Sequence, residues 1–392
     1  MVNKTGVRNT ILTVIAFAAW LAYILACAPA FSPDDTKVLF PSIDPRTGAT
    51  TLAMYDRTSQ ATRTLLVPRD SRQRESVGES HDGMSLASAW SPDGQQAIAL
   101  WAESKEDLRV AVIPIAGREP VRLIDVPDMD NATDVVLRAP AILGGRLVVS
   151  TKKAITRVDL LTGDRTSGEG GGAEVQARGG RLYYARDLPR ESDKAPQKWE
   201  FGRLDADTLA MTPVLQSEEK VSGFFAVSGD GARLAIEQEG DDDTWSVLVF
   251  AGPRLERRIP LGTKQAPVAL FNMIWSATNA VLYATYQKVN DNLPDEFGVA
   301  EVALDGTPPR YTPLFSASIS LDNSGGVFQL DLSHDGRTLA AASTFLGIMG
   351  DDKGRMRPED LALYLVDLSR PDRRVTKVAI PLPPPEKTAA GK

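Results

Sequence analysis

The chain has 392 residues, 43% hydrophobic, 24% charged and 7% aromatic, a composition that excludes a disordered, collagen-like or polytopic membrane protein. Its 44 basic and 51 acidic side chains leave a net charge of -7, which argues against nucleic acid as a partner because phosphate neutralisation needs clustered Lys and Arg. One cysteine cannot form an intramolecular disulfide, and two histidines leave few soft ligands for zinc, copper or haem iron, so no cofactor or metal is expected.

Residues 1–33 contain Lys4 and Arg8 and no acid, and Ile11 to Ala26 form an uninterrupted apolar run. A positive region followed by an apolar one is an export signal, and its basic end stays in the cytoplasm while everything after it is exported. The run predicts one N-terminal apolar helix, slightly short of the roughly 20 residues that span hydrocarbon. It ends in Ile24-Leu25-Ala26-Cys27, which resembles the lipobox of bacterial lipoproteins, with Cys27 as the lipidated first residue of the mature chain. By the same resemblance Ala28 in second place implies the outer membrane. Two alternatives stand beside it: cleavage after Ala28-Pro29-Ala30, or an uncleaved signal anchor in the inner membrane facing the periplasm. A single acyl anchor holds only marginally, so lipidation would need further chains or a protein partner.

From Phe31 onward a pattern recurs: AFSPDDTKVLF from Ala30, AWSPDGQQAIAL from Ala89, AVSGDGARLAI from Ala226 and DLSHDGRTLAA from Asp331. Each is an apolar approach, a tight turn built on Asp and a residue suited to positive φ, and a β-rich segment, which together make a β-hairpin. Degenerate copies start at Ala141, Val175 and Met273, and each copy is followed by a second strand pair. Four short strands repeating every 35 to about 60 residues are the pattern of propeller blades. The expected fold is therefore all-β: a seven-bladed β-propeller of four-stranded antiparallel blades, preceded by the N-terminal helix. Residues 1–27 are assigned to the signal segment, 28–383 to the propeller and 384–392 to a Pro-rich disordered tail. The blades fall approximately at 28–69, 87–126, 138–168, 173–216, 222–262, 270–316 and 327–383.

Ser91-Pro92-Asp93-Gly94 and the apolar strand after it resemble the TolB-type propeller repeat, also found in prolyl-oligopeptidase-like propellers. The resemblance implies the fold and leaves the activity open. TolB carries a further α/β domain and the peptidases a hydrolase domain, whereas here the repeats follow the export signal directly. No Gly-x-Ser-x-Gly elbow is present.

In such a blade, with strands a to d from the axis outward, the a-b and c-d turns share one face and the b-c and d-a connections the other. The long segments 68–87, 187–199, 286–297 and 343–360 all fall on the second face, and long loops in compact folds are commonly functional. The segment 343–360 places Phe345, Leu346, Ile348 and Met349 beside Arg355 and Arg357, the mixture enriched at protein interfaces. These six are the candidate partner-binding residues, although Phe345 and Leu346 equally fit an extension of strand b. Glu239 to Asp243 lacks the alternating ligands of a calcium loop and reads as a solvated hairpin. Two functions are carried forward. The first is a non-enzymatic, membrane-tethered envelope propeller docking a protein partner, as an accessory or scaffold subunit. The second is a periplasmic enzyme or small-ligand binder using the axial funnel, with Asp34, Asp93, Asp230 and Asp335 as its nearest carboxylates, which the turns themselves explain.

Overall fold

The computed structural model describes residues 28–43, 50–66, 86–103, 106–116, 120–127, 141–151, 153–189, 197–217, 221–240, 244–288, 295–317, 327–344 and 362–379. All regular structure in them is β, arranged as successive antiparallel meanders. The first sheet is β1 (Ala30–Phe31), β2 (Lys37–Ile43), β3 (Thr50–Asp56) and β4 (Ala61–Leu66). The second is β5 (Leu86–Trp90), β6 (Gln96–Ala102), β7 (Leu108–Pro114) and β8 (Arg122–Val126). The third is β9 (Ala141–Leu143), β10 (Arg146–Ser150), β11 (Ile155–Asp159) and β12 (Arg165–Gly168). The fourth is β13 (Glu174–Arg178), β14 (Arg181–Asp187), β15 (Trp199–Leu204) and β16 (Met211–Ser217). There follow β17 (Val221–Val227), β18 (Arg233–Glu239), β19 (Trp245–Ala251), β20 (Arg254–Thr263), β21 (Ala266–Trp275), β22 (Val281–Lys288), β23 (Asp295–Ala303) and β24 (Arg310–Ala317). The last sheet is β25 (Val327–Leu332), β26 (Thr338–Thr344), β27 (Ala362–Asp367) and β28 (Val375–Ala379).

The expectation of seven separate four-stranded blades is corrected. Five of the sheets are four-stranded blades, but β17 to β24 form one eight-stranded sheet where two blades were expected. The cause is local: only Lys264 and Gln265 separate β20 from β21, so the chain reverses in a tight hairpin that pairs Gly262 with Pro267 and Thr263 with Ala266. Gly262 sits at φ +59, where a Cβ would also strike the Ala266 carbonyl at 2.5 Å. No helix occurs among the described residues, and none there is long and apolar enough to cross a membrane. The segment expected to form the N-terminal helix lies outside them.

The strands alternate between the two faces of each sheet, and both faces are apolar, so the core lies between sheets rather than within them. One cluster joins the first and second sheets through Leu39, Leu52, Trp90 and Trp101. Others join the second to the third, the third to the fourth, and the fourth to β17–β19. Further clusters lie between the halves of the eight-stranded sheet and between β21–β24 and the last sheet. The ring closes where Phe31, Val38 and Phe40 pack on Ala340, Leu363 and Leu365.

That closure joins the first and last described sheets without exchange of a strand, since every sheet is made of consecutive strands. Polar groups supplement the packing. The Phe31 amide donates to Asp331 Oδ2 at 2.9 Å, and Arg57 donates to the Asp35 carbonyl at 2.7 Å and to Thr338 Oγ1 at 2.9 Å. Asp35 occupies the turn position that Gly fills in the other clear repeats, at φ +58. Its carboxylate accepts the backbone amides of His334 at 2.8 Å and Asp335 at 2.9 Å, so it caps the hairpin of the last sheet. Asn279 does the same at a second interface: at φ 55 in the glycine position, its Oδ1 accepts the Gly229 amide at 3.3 Å.

A second repeated device holds strand pairs together inside sheets. Tyr184 donates to Glu200 at 2.9 Å and Tyr286 to Glu296 at 2.8 Å, and each Glu begins a Glu-Phe-Gly triplet. The glycines, Gly202 and Gly298, adjoin β-bulges, and a Cβ on either would meet the tyrosine ring at under 3 Å and the Thr212 or Thr312 carbonyl at 2.3 or 2.2 Å.

Two outcomes are expected. Asp35→Gly relieves a positive φ worth about 1 kcal/mol but loses two charge-assisted caps of about 1–3 kcal/mol, and Asp35→Ala loses the caps without that relief. Urea midpoints should therefore fall in the order wild type, Asp35→Gly, Asp35→Ala, and a glycine variant as stable as wild type would show that the caps contribute nothing. Gly202→Ala should cost about 1–3 kcal/mol in the same assay, because the rigid ring and backbone cannot both retreat.

Candidate functional site

The four carboxylates that the repeats place nearest the axial funnel are all engaged in their own hairpins. Ser32, Ser91, Ser228 and Ser333 each donate to Oδ1 of Asp34, Asp93, Asp230 and Asp335, at 2.6 Å in every copy. The same oxygens accept the amides of Thr36, Gln95, Ala232 and Arg337 at 3.1, 3.0, 2.9 and 2.9 Å. Each serine oxygen in turn accepts the amide that opens the following strand, at 2.8 to 2.9 Å. The serine hydroxyl bond is the leading reason that Asp34 is held down at about 2, with smaller help from Thr36 and Lys37. Asp93, Asp230 and Asp335 are lowered for the same reason. A carboxylate stabilised as an anion this way is a poor general acid or base near neutral pH.

Glu200 is the most buried carboxylate of the fourth sheet, with 3% of its surface exposed. Burial pushes its pKa up, but hydrogen bonds from Gln216 and Tyr184 and the Arg186 guanidinium outweigh this and lower it. Oε1 accepts Tyr184 and both Nε and Nη2 of Arg186, at 2.9, 3.0 and 2.7 Å, and Oε2 accepts Gln216 at 2.9 Å. Its lone pairs are thus directed at protein, which makes it a sheet-binding cluster. His334 lies on the hairpin of the last sheet, with Nδ1 2.9 Å from Asp35 Oδ1. No group of three or more His, Cys, Asp or Glu suited to a metal occurs among the described residues.

The innermost strands carry a polar set that the sequence reading missed. Glu174, Gln176 and Arg178 alternate along β13, Gln329 and Asp331 alternate along β25, and Asn272 stands on β21. Alternation places the members of each strand on one face. Asn272 donates to Gln329 Oε1 at 3.4 Å, while Gln176 Nε2 donates to the Phe225 carbonyl at 2.7 Å and to Glu174 at 3.2 Å. Gln176 Oε1 and Gln329 Nε2 are buried atoms with no hydrogen-bond partner among the described residues. Arg178 and Asp331 stand on the innermost strands of two sheets that are not neighbours in the ring.

The sequence-predicted candidates Cys27, Phe345, Leu346, Ile348, Met349, Arg355 and Arg357 lie outside the described residues. The strand bounds do locate the connections. The a-b hairpins occupy one face, and β4, β8, β14 and β26 end, and β5, β9, β15 and β27 begin, on the other. The stretch 286–297 is shorter as a connection than its sequence suggests, because β22 and β23 extend into it and leave 289–294.

No protein-family model matches the chain, and no curated protein matches it. Among solved structures it is similar to the β-propeller domain of the Trilobed protease from Pyrococcus furiosus, described as having an open velcro topology. The identity is 11%, the TM-score 0.54, and the match covers 90% of this chain and 97% of that one. TolB from Acinetobacter baumannii matches at 14% identity and a TM-score of 0.45, over 72% of this chain and 64% of TolB. The Dos1 propeller matches at 11% identity and a TM-score of 0.47, over 91% and 84%. The chain thus spans slightly less than two thirds of the TolB length. At these identities the likeness to the protease domain shows the fold alone: a β-propeller.

The pH dependence of stability follows from the hairpins. Their carboxylates ionise at lower pH in the folded chain than the ordinary 3.8, so their stabilisation is complete above that value and is lost as pH falls toward about 2 for Asp34. Denaturant midpoints followed from about pH 6 to about pH 2 should hold and then fall through that window. Ser32→Ala should lower the plateau and make the fall smaller, ending it closer to 3.8, and an unchanged acid limb would show that the serine does not set the Asp34 ionisation.

Proposed function

We propose that the protein is a non-enzymatic propeller of the bacterial cell envelope, tethered to the membrane by its N-terminus, that docks a protein partner as an accessory or scaffold subunit. The observation that carries this reading is the division between the two faces. The hairpin face spends its carboxylates on its own turns, whereas the strand ends flanking the long sequence segments 67–85, 188–198 and 345–361 lie on the opposite face. A rigid ring that presents several loops on one side lowers the ordering cost of association. The connection 345–361 holds Phe345, Leu346, Ile348, Met349, Arg355 and Arg357, residue types that anchor interfaces. The tether rests on the basic and apolar N-terminal run and on Cys27 at its end.

Deletion of residues 347–358 should leave the thermal transition within a few degrees of wild type while abolishing recovery of proteins cross-linked to the full chain in membranes of its host. Unchanged recovery would overturn the docking role of that segment. Intact mass of the membrane-bound protein, compared with Cys27→Ser, reads the tether. A chain beginning at acylated Cys27 supports a lipid anchor and one retaining Met1 a signal anchor, while a chain beginning at Phe31 would overturn the tether altogether.

A further inference from the structure

Between the fourth sheet and β17–β19 the packing leaves a pocket of about 460 Å³, counted with the open solvent in its mouth. Its walls include Tyr183, Phe201, Val214, Leu215, Phe225 and Val227, and Arg203 and Arg233 stand among them. It adjoins Gly231 and Gly252, in the β17–β18 and β19–β20 turns, so it lies on the hairpin face. The repeat itself explains the space. The second Glu-Phe-Gly unit carries the same Thr-Pro pair on its outer strand, so Gly202, Arg203, Val214 and Leu215 correspond to Gly298, Val299, Leu314 and Phe315. At that later interface Val299 is buried, and the Phe315 ring stacks on both Phe297 and Tyr364, with centroids 5.2 and 6.0 Å away. Here Leu215 replaces the stacked ring, Arg203 replaces the buried valine, and Val214 is left 45% exposed. A smaller side chain in a rigid sheet interface leaves room that its neighbours do not fully close.

Two donors line that space without a partner among the described residues. The Tyr183 hydroxyl makes no hydrogen bond, yet it keeps open surface although the residue as a whole is only 6% exposed. It reaches the β17–β18 turn so closely that a Cβ on Gly231 would lie 2.0 Å from it, which puts the hydroxyl at the pocket wall. Arg203 is exposed, and its guanidinium pairs with no described group. The two residues are directly paired across β14 and β15, so their side chains leave the same face of the sheet, about 5 Å apart at Cβ. Neighbouring charges are already matched. Both carboxylate oxygens of Glu256 accept from Arg233, at 2.9 and 3.1 Å, and Asp205 accepts the amides of Asp207 and Thr208 in its own turn. Arg203 thus adds an uncompensated positive charge to an aromatic-walled pocket.

We propose that this pocket binds a small aryl monocarboxylate, with its ring among Phe201, Leu215 and Phe225 and its carboxylate on Arg203 and the Tyr183 hydroxyl. The ring meets walls that already favour edge-to-face contact, since Phe201 and Phe225 lie 5.9 Å apart with their planes at 67°. A planar guanidinium favours a carboxylate over a neutral head, and the phenol adds one donor to it. A dry cavity of about 150 Å³ admits benzene, so a pocket of this size holds one ring with a short arm reaching the mouth. The site uses none of the residues proposed for docking, so either reading can fail without the other.

The test is thermal unfolding of the full-length chain in mild detergent, titrated with 3-phenylpropionate, with its neutral amide or with acetate at constant ionic strength. 3-Phenylpropionate should raise Tm saturably, the amide should act with at least about tenfold lower apparent affinity, and acetate should have no saturable effect. Two variants copy the second Glu-Phe-Gly unit. Leu215→Phe places a ring where Phe315 stands and should fill the pocket, removing the response while leaving the ligand-free Tm within a few degrees of wild type. Arg203→Val copies Val299 and should fold, bind the acid no better than the amide, and leave the response to the amide unchanged. The proposal is overturned if wild type shows no saturable response to 3-phenylpropionate, if acetate matches it, or if Arg203→Val keeps the preference for the acid. It is also overturned if Leu215→Phe folds and retains the response.

Discussion

A ring of sheets has one joint where its first and last members must be held by something other than the chain between them. Among the described residues no strand crosses that joint. Phe31, Val38 and Phe40 pack on the last sheet, and the Asp35 carboxylate draws in the His334 and Asp335 amides. Asp35 accepts an unfavourable φ to reach them, so local strain on one hairpin is exchanged for order on another. Every other interface is reinforced by chain connectivity, and this one depends on side chains. The geometry of the axis depends on it as well, because Asp331 is positioned by its bond to the Phe31 amide.

The repeat assigns different work to different parts of each unit. Near the turn, Ser and Asp close a short network that consumes the carboxylate and makes the hairpin a poor place for chemistry. Between sheets, Trp90 and Trp275 bury their rings and donate to the Ala30 and Ala226 carbonyls of the preceding unit, at 2.8 and 3.0 Å, which fixes the spacing of neighbours. On the innermost strands most positions are small or apolar. The departures at Gln176, Arg178, Asn272, Gln329 and Asp331 are therefore concentrated on three strands.

The repeat unit was legible because Ser-x-Asp followed by an apolar strand is a local pattern whose hydrogen bonds close within five residues. What escaped were relations between units. Asp35 is visible in the sequence as a replacement for Gly, but nothing local says that its partner is the hairpin at His334. The two Glu-Phe-Gly triplets at Glu200 and Glu296 are plain in the sequence, yet their meaning requires the tyrosine from the neighbouring strand. The fused sheet was hidden because β20 and β21 both run into 263–269, the stretch that the blade bounds leave between units. Arg178 stands just before the degenerate Gly-Gly turn of its hairpin, and its register is fixed only by its pairing with Arg181. The proposed docking and lipidation residues lie outside the described residues and rest on composition and spacing.

Because each sheet is built from consecutive strands and the first meets the last through side chains, the chain order around the ring is arbitrary in principle. Opened within 67–85 and rejoined across the present closure, the same sheets would form a circular permutant with an identical sequence of neighbours. The joint would then move to the interface between β4 and β5, where a tryptophan anchor, not an aspartate cap, would bear the closure. The position of the ends around the ring is thus a separate variable from the fold, and it determines which interface is free to open first.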